Sequence, residues 1–205
     1  LALDNERVAL VLQGGGALGA CQAGVFEELL AIDVEPTWVA GVSIGAINAA
    51  LIVGNAPDKR LERLHDFWDL VSSGPGREAP LFDGQRGMFN QWSAAWAATF
   101  GVPGFYRPRV PPAMLQPDGT AAALSVYDCG DMKSTLERLV DFDRNNAKTI
   151  RMSVGAVNVE TGDRLLQYGA HRDSLLRSGM CCGIRANSAR PAFSRTTSTF
   201  IRSTI

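Results

Sequence analysis

The sequence predicts an α/β fold built on a mainly parallel central sheet. Residues 7–13 and 38–40 are apolar runs typical of strands, and each is followed by a glycine-containing turn and a segment with helical spacing. The order strand, glycine turn, helix, strand, tight turn, helix is that of a right-handed βαβα unit. A chain of 205 residues with 46% hydrophobic content is long and apolar enough for one domain with a substantial core.

The first half of the chain contains the elements that are easiest to predict. The nearly continuous apolar run at 7–13 predicts a strand buried on both faces of a parallel sheet. Residues 18–32 predict a helix with Glu27 and Glu28 facing outward. Apolar residues at helical spacings predict a helix over 58–71, and the small, apolar run at 46–53 predicts another.

The predicted domain spans residues 1–168 and includes a lid or insertion at 72–116. In this middle segment glycine and proline are frequent, and aromatic residues are too numerous for a disordered linker. Short helices are therefore expected there. Beyond it, the pattern predicts a helix near 132–139, a core strand at 149–159 and a hairpin turn at 160–163.

Periodicity is lost after residue 168. The segment 169–205 is rich in Arg, Ser and Thr and shows neither helical nor strand spacing. A disordered basic tail is one interpretation. The other is that a shift of reading frame after Asp163 replaced the original sequence, which resequencing of the gene would test.

The motif G-x-S-x-G occurs at residues 41–45, between the strand at 38–40 and the helix at 46–53. This context is typical of a nucleophile elbow, in which a serine occupies a tight strand-to-helix turn. Such a turn raises the hydroxyl of Ser43 out of the sheet and places it at a helix N-terminus, where developing negative charge is favoured. The motif therefore indicates acyl transfer by a serine.

A second glycine-rich turn, residues 13–19, contains G-x-G-x-x-G. Alone it is a weak signal, because dinucleotide-binding folds use the same string and then require an acidic residue at the end of the second strand. Here that position is occupied by Ser43, and Asp33 and Glu35 precede the strand. If both turns lie at the same edge of a parallel sheet, the free N–H groups of the glycine loop face the serine, as an oxyanion hole requires.

The serine needs a base, and neither histidine is a good candidate. His65 falls on the face of a predicted helix, and His171 lies in the aperiodic tail. A serine acting with a single carboxylate is therefore more economical than a Ser-His-Asp triad.

The two motifs together resemble those of the patatin-like phospholipases, over roughly residues 5–165. The resemblance implies a three-layer α/β/α fold and a serine lipid acyl hydrolase with a Ser-Asp dyad. It implies Ser43 as the nucleophile and an oxyanion hole formed by Gly14, Gly15 and Gly16, with no metal and no cofactor.

The Asp-Gly motif that carries the base in this family is not found where it is expected. The two Asp-Gly pairs, at Asp83 and Asp118, precede the 149–159 strand and are better explained as turns. Asp163 and Asp173 lack the motif, so the catalytic Asp is not assigned. The alternative function is a catalytically impaired fragment that only binds lipid.

Composition excludes some partners and favours others. A net charge of −1 and no basic block give no case for nucleic acid. No signal peptide is predicted, and two histidines and four cysteines without metal-ligand spacing predict no metal site and reduced thiols. We expect a cytoplasmic protein that acts on a lipid ester through transient contact with a membrane surface. The oligomeric state is not predicted.

Overall fold

A computed structural model describes residues 7–74, 83–118, 120–147, 149–157 and 164–168. The predictions for the hairpin turn at 160–163, for His171, Asp163 and Asp173, and for the tail lie outside these residues. The strands and helices that are described follow one another in the order listed here: β1 Ala9–Leu12, α1 Gly19–Ala31, β2 Trp38–Val42, α2 Ile44–Val53, α3 Arg60–Val71, α4 Asp83–Phe100, β3 Arg107–Pro108, β4 Tyr127–Asp128, α5 Gly130–Leu139, α6 Phe142–Asn146, β5 Arg151–Val157 and β6 Arg164–Tyr168.

The central sheet has the strand order β1-β2-β5-β6. The first three strands are parallel, with Leu10 beside Val39 and Val39 beside Met152, and β6 runs antiparallel to β5. The predicted α/β class with a mainly parallel sheet is therefore confirmed. Because β1 and β2 are parallel neighbours, the turns that follow them meet at one edge of the sheet.

Helix α2 forms the centre of the core. All ten of its residues are buried, because it lies on the sheet and is flanked by α1 and α3. Small side chains at Gly45, Ala46, Ala49 and Ala50 allow this close approach to the strands. The amide of Asn55 donates to the carbonyl oxygens of Leu51 and Leu139 and so joins the ends of α2 and α5.

The prediction that the first strand is buried on both faces is wrong. Leu12 is buried against the helices, whereas Val11, on the opposite face of β1, is 76% exposed. Val42, on the same face of β2, is also exposed. Strand β1 lies at the edge of the sheet, and this part of its second face is left open by the described residues.

The described part of the segment 72–116, which leaves out residues 75–82, contains one long helix instead of several short ones. Helix α4 spans Asp83–Phe100. Asp83 therefore begins a helix, and the prediction that it forms a turn is wrong. A short 3-10 turn at Ala113–Leu115 follows. The small helix α6 was not predicted, although the carboxylate of Asp141 caps it by accepting from the N–H groups of Asp143 and Arg144.

Two further expectations concern the state of the cysteines and the presence of a transmembrane helix. Cys21 is a free, exposed thiol, but Cys129 is disulfide-bonded, so the expectation of reduced thiols fails at that residue. Within the described ranges, no helix combines the length and apolar character needed to cross a bilayer.

Candidate active site

The site is built on a strained turn at Ser43. This residue has φ 55° and ψ −126°, a backbone conformation that side-chain-bearing residues rarely adopt. It separates β2 from α2 and caps α2 without a hydrogen bond from its own side chain. The side chain is exposed, so the hydroxyl is open to a substrate.

The two glycines of the pentapeptide are required by close backbone contacts. A Cβ on Gly41 would lie 2.2 Å from the carbonyl oxygen of Gly45. A Cβ on Gly45 would lie 2.2 Å from the carbonyl oxygen of Leu12, at the end of β1. The two glycines therefore allow the first turn of helix α2 to pack closely against the ends of β1 and β2. This close packing explains why the positions two residues before and two residues after Ser43 are both glycine.

The glycine loop lies directly beside the serine. A Cβ placed on Gly14 would be 3.2 Å from Ser43 Cβ and 3.9 Å from Ser43 Oγ. Gly15 and Gly16 have φ of 147° and 56°, and they lead into a 3-10 turn at Gly16–Leu18 and then into α1. The two motifs that the sequence separates by 27 residues are thus brought into contact at one edge of the sheet.

The loop contains backbone donors that have no acceptor among the described residues. In the described part of the chain, the N–H groups of Gly14, Gly15 and Gly16 have no backbone acceptor, whereas Leu18 N–H donates to Gly15 O at 3.2 Å. The N–H of Ile44, at the N-terminus of α2, is likewise a donor without an intrahelical partner. Such a group of donors next to a hydroxyl can stabilise an oxyanion.

No general base is seen beside Ser43. Within the ranges that the structure covers, neither a carboxylate nor an imidazole hydrogen-bonds to its hydroxyl. His65 lies on α3, half exposed, with its Nε2 3.7 Å from Glu27 Oε2, as expected for a residue on a helix face. Asp118 lies in a turn, as expected.

The described residues also contain no group of three or more His, Cys, Asp or Glu side chains that could hold a metal ion.

The aromatic residues of the middle segment form a ladder along α4. Ring centroids are 6.3 Å apart for Phe89 and Trp92, 5.6 Å for Trp92 and Trp96, and 4.3 Å for Trp96 and Phe100. A shallow cavity of about 170 Å³ lies beside Trp96 and Phe100. Its lining includes no residue of the glycine loop or of the elbow, so the cavity is separate from the site at Ser43.

The expected binding of an acyl chain near these aromatic residues stays a prediction, and Phe82, one of them, lies outside the described residues. Phe105 packs against Phe67 of the core, and Tyr106 packs against Tyr127. Burial, with Tyr127 nearby, raises the pKa of Tyr106 above its usual range. Phe105 and Tyr106 therefore pack against residues outside the 72–116 segment and do not belong to the ladder on α4.

Sequence reasoning missed one polar group at the site. Asn48 on α2 is fully buried and bonded to residues of α1 and α3. A buried asparagine within an otherwise apolar helix is a signal that could have drawn attention to it.

One family of known proteins matches the sequence of this chain. The family model described as Patatin-like phospholipase matches residues 10–180. The match continues past residue 168, where the tail was predicted to begin. Among curated proteins, no significant match is found.

One similar solved structure is that of the heterodimeric ExoU-SpcU complex from the type III secretion system of Pseudomonas aeruginosa. The matched chain of that complex is 21% identical, with a TM-score of 0.39. The match covers 89% of the present chain and 38% of the other.

Proposed function

The chain belongs to the patatin-like phospholipase family, and from this premise we propose that it hydrolyses lipid esters through an acyl-enzyme on Ser43. The observation that carries the proposal is the contact between the elbow and the glycine loop. An exposed serine at a strained turn lies beside a loop whose N–H groups have no acceptor among the described residues, and a Cβ placed on Gly14 would be 3.9 Å from Ser43 Oγ.

The chemistry begins with attack of Ser43 Oγ on the ester carbonyl carbon. The carbonyl oxygen then becomes an oxyanion, and in this proposal the N–H groups of Gly14, Gly15 and Gly16 donate to it. The N-terminus of α2 adds a favourable dipole at the same point. Collapse of this intermediate breaks the ester C–O bond and leaves the acyl group on Ser43, and the departing alkoxide takes the proton that the base removed from the serine. Water then attacks the acyl group and releases the fatty acid.

The proton of the serine hydroxyl has to be accepted by a base, and the family resemblance implies an aspartate. An unactivated hydroxyl is a weak nucleophile at neutral pH. Because no described carboxylate bonds to Ser43, the second candidate function is lipid binding without turnover.

Hydrolysis of a short-chain nitrophenyl ester separates the two candidates. The hydrolase proposal predicts turnover by the wild-type protein and background rates for Ser43→Ala. It also predicts that Gly15→Ala lowers kcat by about 10²-fold, because a side chain at its positive φ displaces an oxyanion donor. Binding to phospholipid vesicles without turnover of any ester would favour the second candidate.

A further inference from the structure

A chain of hydrogen bonds, which runs from a buried asparagine to an exposed glutamine, joins the three helices around the site. Asn48, on α2, is 1% exposed and lies five residues after Ser43. Its Nδ2 donates to Gly19 O at 2.9 Å and to Gln22 Oε1 at 3.0 Å, and its Oδ1 accepts from Trp68 Nε1 at 3.1 Å. Gln22 Nε2 in turn donates to Gln13 O at 2.8 Å.

The order of donors and acceptors along these hydrogen bonds is fixed, starting from the indole N–H of Trp68. An indole N–H can only donate, so the Asn48 group that faces it has to be the carbonyl oxygen. The amide nitrogen of Asn48 then faces Gln22, which has to accept through Oε1 and therefore presents Nε2 to Gln13 O. Each amide orientation is fixed by the one before it.

This chain of bonds reaches both ends of the glycine loop. Gln13 immediately precedes Gly14, and Gly19 follows the 3-10 turn that closes the loop. Gly19 is bonded directly to α2, the helix that Ser43 caps, and Gln13 is bonded to α2 only through Gln22 of α1. Packing adds to this at one end, because a Cβ on Gly19 would lie 2.7 Å from Ile44 Cγ1.

We propose that Trp68, Asn48 and Gln22 are positioning residues that hold the oxyanion-hole glycines at a fixed distance from Ser43. This inference rests on the proposed function of the same site. Donors of an oxyanion hole act only when they are held within a fraction of an ångström of the reacting oxygen. The three side chains supply that constraint without contact with the substrate.

Gln22→Met tests the inference with little risk to the fold, because Gln22 is half-buried and methionine has a similar volume. The loop loses its bond at Gln13, so kcat falls about 10- to 100-fold while KM changes little. The inhibition constant of a trifluoromethyl ketone, whose adduct carries an oxyanion, rises by the same factor as kcat/KM falls. A loss of folded protein would instead lower the apparent kcat in proportion to the active fraction and leave KM and the inhibition constant unchanged.

Gln22→Glu supplies a rescue. A carboxylate still accepts from Asn48 but cannot donate to Gln13 O, whereas the protonated acid can do both. Relative to wild type at the same pH, its activity rises as the pH falls from about 8 to about 5. The matched control is Thr37→Val, which removes a bond to the carbonyl oxygen of Val8 at the opposite end of the strands and leaves the kinetics unchanged.

Amide NMR tests the positioning independently of activity. Gln22→Met is expected to shift and broaden the amide signals of Gly14, Gly15 and Gly16, and Thr37→Val is not. Unchanged glycine signals in Gln22→Met would overturn the positioning inference whether or not the enzyme is active. A wild-type protein that neither hydrolyses esters nor reacts with a serine-directed probe would overturn the proposed function, while the NMR result would still decide the positioning.

Discussion

Ser43 combines an exposed hydroxyl with a backbone conformation that stores strain. A residue other than glycine at φ 55° and ψ −126° raises the free energy of the native state by about 1–3 kcal/mol. The contacts of Gly41 and Gly45 with the neighbouring backbone hold this turn in place. The strained backbone at Ser43 thus lowers the free energy of unfolding at the position where the hydroxyl projects from the sheet.

We predict that Ser43→Gly is more stable than Ser43→Ala. Glycine relieves about 1–3 kcal/mol of strain and loses about 0.5–1 kcal/mol through the greater entropy of its unfolded chain, which leaves a net gain of about 1 kcal/mol. Alanine keeps the Cβ and the strain. Urea denaturation of both variants measures the difference, and a midpoint for Ser43→Gly equal to or below that of Ser43→Ala would contradict the prediction.

The residue scale is also where the sequence was most informative. The elbow could be predicted because its requirements are local: two glycines that must lack a Cβ, and a serine between a strand and a helix. The Trp68–Asn48–Gln22 chain of bonds could not be predicted, because it depends on how three helices pack. The base could not be assigned from sequence because the family's Asp-Gly motif is not found where it is expected.

Among the elements, α4 departs furthest from expectation. The 18-residue helix was not predicted, because Gly84, Gly87 and the scattered aromatic residues have low intrinsic helix propensity. Residues 87–100 of this helix carry no charged side chain. Trp92 and Phe100 are 48% and 60% exposed, which is a large apolar exposure for one helix.

We predict that α4 supplies the transient contact with a membrane surface. Tryptophan and phenylalanine on an uncharged stretch of helix favour the interface between lipid head groups and acyl chains. Trp92→Ser should weaken binding to zwitterionic phosphatidylcholine vesicles about tenfold, measured by co-sedimentation. Met114→Ser, which removes an apolar side chain outside α4 that is more exposed than Trp92, is the control. Equal binding by all three proteins would exclude α4 as the contact.

At the scale of the whole molecule, the sheet is covered unevenly. Helices α1, α2 and α3 bury one face, whereas Val11 and Val42 on the other are exposed. An apolar run specifies a strand, but whether its second face is covered depends on segments far away in the sequence. For that reason the α/β class was predicted correctly and the burial of β1 was not.

Two substitutions of valine by threonine test this uneven coverage. Val11→Thr should change the free energy of unfolding by less than about 0.5 kcal/mol, because the hydroxyl meets water. Val39→Thr, on the covered face of the neighbouring strand, should cost about 1–3 kcal/mol, because a fully buried position receives a polar group. A similar loss in both would mean that the face at Val11 is covered in solution.

The central claim is that the glycine loop and the elbow together make Ser43 a nucleophile. Reaction with a fluorophosphonate probe, followed by peptide mass spectrometry, tests this most directly, because the adduct forms only on an activated serine that faces oxyanion donors. We predict one adduct per chain, on the peptide that contains Ser43, with none in Ser43→Ala. Labelling of a different residue, or equal labelling of wild type and Ser43→Ala, would contradict the account.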